Sequence, residues 1–245
     1  MKTPLLAVVL LSTSFLQVLP VALSVAQPSA QPADPSAVIE SARAPKDVEL
    51  TADAGSPFWK DAPRVVASRD RQGNPVAGPP TEIRSRWTKD YLYLLYICPF
   101  VELTLKPEWT AGAETDGLWK WDVAEAFIGT DPARIASYKE FQVSPRGEWT
   151  DLAIDRDNPK GQEGAHWDSG MIVKGRVDAG SKVWYGEMRI PFAALGVAAP
   201  RAGAELRINV FRIAGAEPSR TRYVWRPTGQ NTFHVPSAFG TLRLR

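Results

Sequence analysis

The fold is decided by two adjoining segments, Thr81-Glu-Ile-Arg-Ser-Arg-Trp87 and Tyr91-Leu-Tyr-Leu-Leu-Tyr-Ile-Cys98. In the first segment, apolar or small residues alternate with charged ones, which predicts a strand with one exposed face. The second segment is apolar at nearly every position, which predicts a strand that is buried on both faces. Because only Thr88-Lys-Asp90 separates the two segments, we expect them to form a β-hairpin.

Short strand patterns recur along the rest of the chain, and helical periodicity is almost absent. Further strands are predicted at 122–128, 138–143, 149–154, 171–177, 182–190, 205–213, 221–225 and 239–244. Clusters of Gly, Pro, Asp and Asn separate them, and one helical turn is expected at 191–195. Many short strands at regular spacing predict an all-β fold, a two-sheet antiparallel β-sandwich.

The N-terminal residues have the composition of an export signal. Lys2 supplies positive charge, an apolar run follows, and Ser24-Val-Ala26 offers the small residues that a signal peptidase requires. We therefore expect a signal peptide at 1–26 and export of the mature chain to the periplasm or the extracellular space. An uncleaved membrane anchor is the alternative, but Pro20 and several polar residues interrupt the apolar run, which disfavours a stable membrane span.

Residues 27–45 are rich in Pro, Ala and Ser and show no apolar period, which predicts a disordered linker. Residues 46–245 are long enough to form one domain with its own core. The chain contains nine tryptophans and is 44% hydrophobic, which is sufficient material for that core.

Charge and cysteine content exclude several classes of protein. The net charge of +2 comes without a basic stripe, so no nucleic-acid partner is expected. The single cysteine, Cys98, cannot form an internal disulfide, and its place in an apolar strand predicts an inert buried thiol. Nothing in the sequence indicates an oligomeric state.

A candidate binding site lies in the segment Asp116-Gly-Leu-Trp-Lys-Trp-Asp-Val-Ala-Glu-Ala-Phe-Ile-Gly129. Its second half alternates as a strand, which places Glu125 on the same face as Val123 and Phe127. An unpaired acid between apolar neighbours is costly to bury. An acid beside the indole ring of Trp119 suits a polyhydroxylated ligand, because the ring covers C–H surface while the carboxylate accepts hydrogen bonds from hydroxyls.

Five segments in the same order resemble the family 9 carbohydrate-binding modules. They are Trp119 with Asp122-Val-Ala-Glu-Ala-Phe127, Tyr138-Lys-Glu-Phe-Gln-Val-Ser-Pro145, Trp184-Tyr-Gly-Glu-Met-Arg-Ile-Pro-Phe192, Arg207-Ile-Asn-Val-Phe-Arg212 and Phe233-His-Val-Pro-Ser-Ala-Phe-Gly240. The resemblance runs from residue 48 to the C-terminus. It implies a β-sandwich from an exported glycan-degrading system that serves carbohydrate catabolism. Such a module binds a mono-, oligo- or polysaccharide between two aromatic walls.

The resemblance also implies which residues contact the ligand. Trp119 corresponds to the first aromatic wall, and Phe233 to the second, where the family usually has Trp. Glu125 corresponds to the carboxylate that bonds sugar hydroxyls. Gln142 and Ser144 occupy strand positions where other members place polar contacts, often Arg and Asn.

Two further residues complete the candidate set of ligand contacts. Arg212 either joins the polar groups of the site or holds Glu125 ionised. In a second interpretation, Arg212 and Glu125 form a structural ion pair across the sheet. Trp225 is a candidate for the rim of the site.

The resemblance leaves one cofactor open. Some members of the family hold structural calcium, and the acids that are placed to contribute ligands here are Asp116, Asp122 and Asp131. No contiguous calcium-binding loop is present, and the metal stays undecided at this point. No other cofactor is implied.

Three other classes of function compete with sugar binding. A glycoside hydrolase needs two carboxylates across the scissile bond, but the strand around Glu187 is interpreted as structural and no nucleophile elbow is present, so a non-catalytic module is expected. A haem-binding domain of related fold would use Met171, Met188, His166 or His234 as iron ligands. A hydrolase-associated or surface interaction module without a sugar ligand is the third alternative.

Overall fold

The computed structural model describes residues 37–110, 112–158, 160 and 164–245. The strands are β1 (Val38–Arg43), β2 (Arg64–Ala67), β3 (Thr81–Trp87), β4 (Tyr91–Pro99), β5 (Val123–Gly129), β6 (Ser137–Val143), β7 (Trp149–Asp155), β8 (Ala165–His166), β9 (Ile172–Asp178), β10 (Val183–Pro191), β11 (Glu205–Ala214), β12 (Thr221–Val224) and β13 (Gly240–Leu244). Short 3-10 helices are formed by Leu118–Lys120, Phe192–Leu195 and Pro236–Ala238. The all-β class is confirmed, and every strand predicted from the sequence is present.

The predicted signal peptide at 1–26 lies outside the described residues, as do residues 27–36 of the predicted linker. Within the described ranges, no helix has the length and apolar character that crossing a bilayer requires.

One hydrogen-bonded path connects the strands in the order β8-β7-β6-β5-β11-β13-β1-β3-β4-β10-β9, with β12 beside β11 and β2 beside β3. The named strands pair antiparallel except β1, which runs parallel to both β13 and β3. The two-sheet antiparallel β-sandwich predicted from the sequence is not confirmed. Strand β1 joins the two halves of the path, and the sheet nearly closes like a barrel.

Strand β1 also corrects the predicted domain boundary. The sequence places 27–45 in a disordered linker, but Val38–Arg43 is a strand in which Ile39 and Ser41 are buried. The hydroxyl of Ser85 donates to that of Ser41 at 2.9 Å. The Pro-, Ala- and Ser-rich composition of residues 27–45 gives no sign of this strand, because its hydrogen-bonding partners, β3 and β13, lie far away along the chain.

The predicted hairpin lies inside one half of the path, where β4 pairs with β3 and with β10. Leu94 and Tyr96 contribute one face of β4 to the main core. Tyr93 and Leu95 pack with Trp59 on the other face. Burial of both faces of this strand is therefore confirmed.

The main core lies between the two halves of the sheet, and β5 contributes one of its two faces to it. Ala124 and Ala126 point into the main core. Val123 and Phe127 point to the opposite face, where they join a second apolar cluster that also contains Phe233. The alternation predicted for this strand is confirmed, and the second face carries the candidate site.

Glu187 on β10 holds an N-terminal loop against the sheet. Its buried carboxylate accepts hydrogen bonds from the backbone N–H groups of Thr51 at 2.9 Å and Ala52 at 2.6 Å. It also accepts one from the indole Nε1 of Trp59 at 2.9 Å. These contacts support the structural interpretation of this acid.

Replacing Glu187 with alanine should lower the free energy of unfolding by about 3 kcal/mol, because buried N–H donors would lose their acceptor. A urea titration measures this. The control is Glu205→Ala, which removes a half-exposed acid 2.8 Å from Arg243 and should change the stability by less than about 1 kcal/mol. Equal losses in the two variants would contradict the role given to Glu187.

Candidate functional site

A cavity of about 250 Å³ lies on the face of the sheet that carries the second apolar cluster. Strands β5, β6, β7 and β11 supply its floor through Glu125, Phe127, Glu140, Leu152 and Ile213. Loops around the strand ends supply its walls. The cavity therefore sits on rigid sheet and is bordered by connecting segments, which is a common arrangement for binding sites.

Trp119 lines one side of this cavity. It belongs to the short helix Leu118–Lys120, which is anchored because the Leu118 side chain is buried in the second cluster. The guanidinium of Arg220 also donates to the carbonyl of Lys120. The ring itself stays 38% exposed, so an anchored turn presents an accessible indole.

Phe233 lines the same cavity and is held by stacking. Its ring lies on that of Phe211 with centroids 4.2 Å apart and planes 13° apart. Phe211 in turn packs edge-to-face with Phe127, with ring centroids 4.9 Å apart. The sheet thus backs this ring, and the structure brings Trp119, Glu125 and Phe233 to one cavity, as the sequence predicts.

Two buried carboxyl groups share the floor. Glu125 and Glu140 lie on the neighbouring strands β5 and β6, where Glu125 is opposite Gln142. Burial and then the charge of Glu140 raise the pKa of Glu125 well above its usual range, and Arg222 opposes this. Burial raises the pKa of Glu140 to about 7 against a hydrogen bond from Gln142. The pair therefore keeps at least one proton at neutral pH.

One oxygen of each carboxyl lacks a protein partner. In the described part of the chain, Glu125 Oε1 and Glu140 Oε2 are buried and take part in no hydrogen bond. Buried polar atoms are normally satisfied, since leaving one without a partner costs free energy. Both residues line the cavity, so these oxygens are suited to accept hydrogen bonds from a ligand.

His234 and Tyr138 lie next to this acid pair. The Tyr138 hydroxyl is 2.7 Å from His234 Nδ1, and His234 Nε2 is 4.0 Å from Glu140 Oε2. Burial, with a smaller effect of Arg156, lowers the pKa of His234 to about 4. The imidazole is therefore neutral at neutral pH and forms no ion pair with Glu140.

Gln142 and Ser144 lie outside the cavity lining. Gln142 is fully buried, and its amide donates to Glu140 Oε1. It therefore orients a residue of the cavity floor without lining the cavity itself. Ser144 belongs to the turn between β6 and β7. Its hydroxyl oxygen accepts from the backbone N–H groups of Arg146 at 3.2 Å and Glu148 at 3.1 Å. The structure assigns Ser144 a role in this turn, away from the predicted ligand.

Arg212 points to the opposite face of β11. It is paired in register with Ala124, not Glu125, and it donates to the carbonyl of Pro99 at 2.8 Å. Its guanidinium lies over the ring of Tyr223 at 5.2 Å. The predicted contact between Arg212 and Glu125 is therefore wrong, because alternation along β11 directs residue 212 toward the main core.

Trp225 is likewise placed in the main core rather than on the rim of the cavity. It follows β12 and packs closely against Gly240. A Cβ atom at residue 240 would lie 2.5 Å from the Trp225 ring. The predicted rim position is wrong, since the indole fills the space that this glycine leaves.

Several residues that the sequence analysis did not select also line the cavity, namely Arg71, Arg220, Arg222 and Asn231. A signal for two of them existed, because Arg222 lies in the predicted strand 221–225 and Arg220 immediately precedes it, which puts both on the same side as Val224. Arg71 comes from a distant loop. That loop docks on β12 through the N–H of Val224, which donates to the carbonyl of Arg69 at 2.8 Å.

The candidate metal and haem ligands do not converge. Among the described residues, no group of three or more His, Cys, Asp or Glu side chains could hold a metal ion. Asp122 accepts hydrogen bonds from the backbone N–H of Gly215 at 2.7 Å. Met171 and Met188 are buried in the main core, whereas His234 lies on the cavity face; the side chain of His166 is outside the description.

Cys98 is fully buried, which raises its thiol pKa to about 12.

Comparison with known proteins bears on this geometry. The family whose model matches residues 52–245 is described as carbohydrate family 9 binding domain-like. The chain belongs to this family. An extracellular protein of Arthroderma benhamiae is 29% identical to this family 9 domain in an alignment 136 residues long, which covers 51% of this chain and 61% of the relative. The chain thus matches less than two thirds of that relative's length.

Solved structures share the fold of this family 9 domain. A candidate carbohydrate-binding protein from Bacteroides uniformis superposes with a TM-score of 0.66 at 14% identity, covering 85% of this chain and 99% of the other. A family 9 module from Caldicellulosiruptor kristjanssonii in complex with cellotriose has a TM-score of 0.60 at 14% identity, covering 85% of this chain and 93% of the module. Its complex with glucose has a TM-score of 0.58 at 13% identity, covering 84% of this chain and 95% of the module. At these identities the similarity establishes the fold.

The raised pKa of Glu140 predicts a pH dependence of stability. The unfolded chain releases this proton near its ordinary pKa of 4.5, whereas the folded chain keeps it up to about 7. The acid therefore lowers the free energy of unfolding as the pH rises through this window. Glu140→Gln should gain about 1–3 kcal/mol relative to the parent between pH 5 and pH 8.

Urea unfolding at several pH values measures this difference. The lowered pKa of His234 has the opposite sign and makes stability rise with pH between about 4 and 6.5, but both proteins contain it. Glu108→Gln, which removes an exposed acid, is the control. Its stability relative to the parent should not change with pH in this way. A difference between Glu140→Gln and the parent that does not vary with pH would refute the assignment.

Proposed function

We propose that this family 9 domain binds a saccharide in the cavity that Trp119 and Phe233 line. The observation that carries this proposal is the presence of both rings and both buried carboxyl groups in one cavity. Aromatic faces cover the C–H surface of a sugar ring, and polar groups between them fix its orientation.

The floor supplies the polar part of the recognition. Glu125 Oε1 and Glu140 Oε2 accept hydroxyl groups of the sugar, which satisfies two buried oxygens that have no protein partner in the described residues. The shared proton allows one carboxyl group to donate as well. The floor therefore matches a sugar, whose hydroxyl groups both donate and accept.

The comparisons support the ligand class and the absence of catalysis. The family is described by binding, and a related module has been crystallised with cellotriose and with glucose. We infer that the domain binds without catalysing a reaction. The domain serves carbohydrate catabolism outside the cytoplasm, after removal of the signal peptide at 1–26. The relative named as extracellular supports this location.

Trp119→Ala tests the aromatic wall. Loss of stacking on one ring costs about 1–3 kcal/mol in comparable sites, so the dissociation constant should rise about 5- to 150-fold. A glycan array with the purified domain selects the sugar, and isothermal titration calorimetry measures its affinity. The control is Trp109→Ala, since Trp109 is 48% exposed and lies outside the cavity lining. Equal affinity of Trp119→Ala and the parent would remove Trp119 from the site.

Glu125→Gln separates binding from stability. The carboxyl group is largely protonated and, among the described residues, has no buried ion-pair partner, so a neutral isostere should leave the urea midpoint unchanged or raise it. The amide NH2 group can only donate, whereas the carboxyl O–H that it replaces can also accept a hydrogen bond, so the affinity for the selected sugar should fall about tenfold. Lower stability with unchanged affinity would instead give Glu125 a purely structural role.

A further inference from the structure

Basic side chains gather at one end of the proposed sugar site. Arg71, Arg220 and Arg222 line its cavity. The same three residues line an adjacent cavity of about 290 Å³, which extends toward Asp70 and Gln72. The arginines therefore form the boundary between two neighbouring cavities.

The fold holds these guanidinium groups in place. Arg222 lies on β12 opposite Ile213, and its side chain is only 28% exposed. Arg220 donates from Nε to the carbonyl of Gly215 at 3.0 Å. The loop that carries Arg71 is fixed because the N–H of Thr228 donates to the Arg71 carbonyl at 3.0 Å. The boundary is consequently preorganised, which reduces the entropic cost of binding.

Positive charge exceeds negative charge at this boundary. Glu217 is the acid in contact, with its carboxylate 2.6 Å from Arg222 and 3.9 Å from Arg220, and its side chain is 57% exposed. The Asp70 carboxylate is turned into its own loop, where it accepts from the N–H of Asn74 at 2.8 Å. The buried acids of the floor keep at least one proton, so they carry at most one negative charge against three arginines at neutral pH.

The guanidinium groups also repel one another. Burial and then the positive charge of Arg222 lower the pKa of Arg71, and Asp70 and Glu217 oppose this. Arg71 and Arg222 line the same two cavities. An anion between them would relieve this repulsion. A carboxylate fits best, because the planar fork of a guanidinium binds both of its oxygens.

We propose that the site selects acidic saccharides and that the carboxylate of a uronic acid lies between Arg71 and Arg222 while a sugar ring stacks on Trp119. This inference rests on the proposed sugar binding and names the class of sugar. Arg220 acts as a positioning residue. Its guanidinium donates to the carbonyl of Lys120, next to Trp119, and lies 3.9 Å from the carboxylate of Glu217.

A matched pair of ligands tests the inference. Cellobiouronic acid and cellobiose differ only in the oxidation of one C6 atom. We expect the acid to bind about tenfold more tightly at low ionic strength, since a hydrogen bond to a charged group outweighs one to a neutral group. The ratio of the two affinities should fall as salt is added, because salt screens partly exposed charges. Calorimetry at two salt concentrations measures both effects.

Three variants locate the preference. Arg222→Gln should bring the affinity ratio close to one. Arg64→Gln should leave the ratio unchanged, since this largely exposed arginine contacts Glu82 and neither residue lines either cavity. Glu217→Gln should raise the ratio, because it removes the acid that competes with the ligand for Arg220 and Arg222. A rise in selectivity is not expected from a structural defect.

The outcomes separate this inference from the proposed function. If the parent binds both disaccharides equally, or if only neutral glycans bind on the array, the acidic selectivity is overturned while sugar binding stands. A preference that survives Arg222→Gln would overturn it as well. If no glycan on an array of acidic and neutral sugars binds, the proposed function fails, and the inference fails with it.

Discussion

The site depends on one constraint, which is the strict alternation of side chains along β5 and β11. Alanines at 124 and 126 face the main core, and this directs Glu125 and Phe127 to the cavity. A shift of one residue in register would exchange the two faces and bury the acid in the main core. Hydrogen bonding to β6 on one side and β11 on the other fixes the register of β5. The sheet therefore sets the chemistry of the floor before any loop contributes.

The cavity combines two electrostatic environments. Its floor is close to neutral, because burial keeps a proton on the Glu125–Glu140 pair and removes one from His234. Its far end is positive, because guanidinium groups keep their protons at any ordinary pH. A neutral, hydrogen-bonding floor suits hydroxyl groups, and a positive end suits an acid. One ligand that carries both kinds of group would satisfy the whole cavity, which links the proposed function to the further inference.

Local patterns in the sequence were sufficient to predict a strand and its buried face where apolar and polar residues alternate along that strand. The hairpin of β3 and β4 and the faces of β5, with Glu125 on the cavity side, could be predicted in this way, whereas the two aromatic walls Trp119 and Phe233 were implied by the family resemblance. The predictions for Arg212 and Trp225 were wrong because alternation along β11 places Arg212 on the core face with Val210, and because Trp225 fills the space beside Gly240. Strand β1 and the position of Arg71 depend on contacts between residues that are far apart in the chain, and no local pattern records such contacts.

The position of β1 has a consequence for biosynthesis. Its hydrogen-bonding partners are β3 and β13, and Glu40 forms ion pairs with Arg243 and Arg245. During vectorial synthesis, residues 38–41 have no β13 to pair with until residues 241–244 have left the ribosome. The pairing of β1 with β13, which joins the two halves of the sheet, is therefore completed only after β13 has emerged.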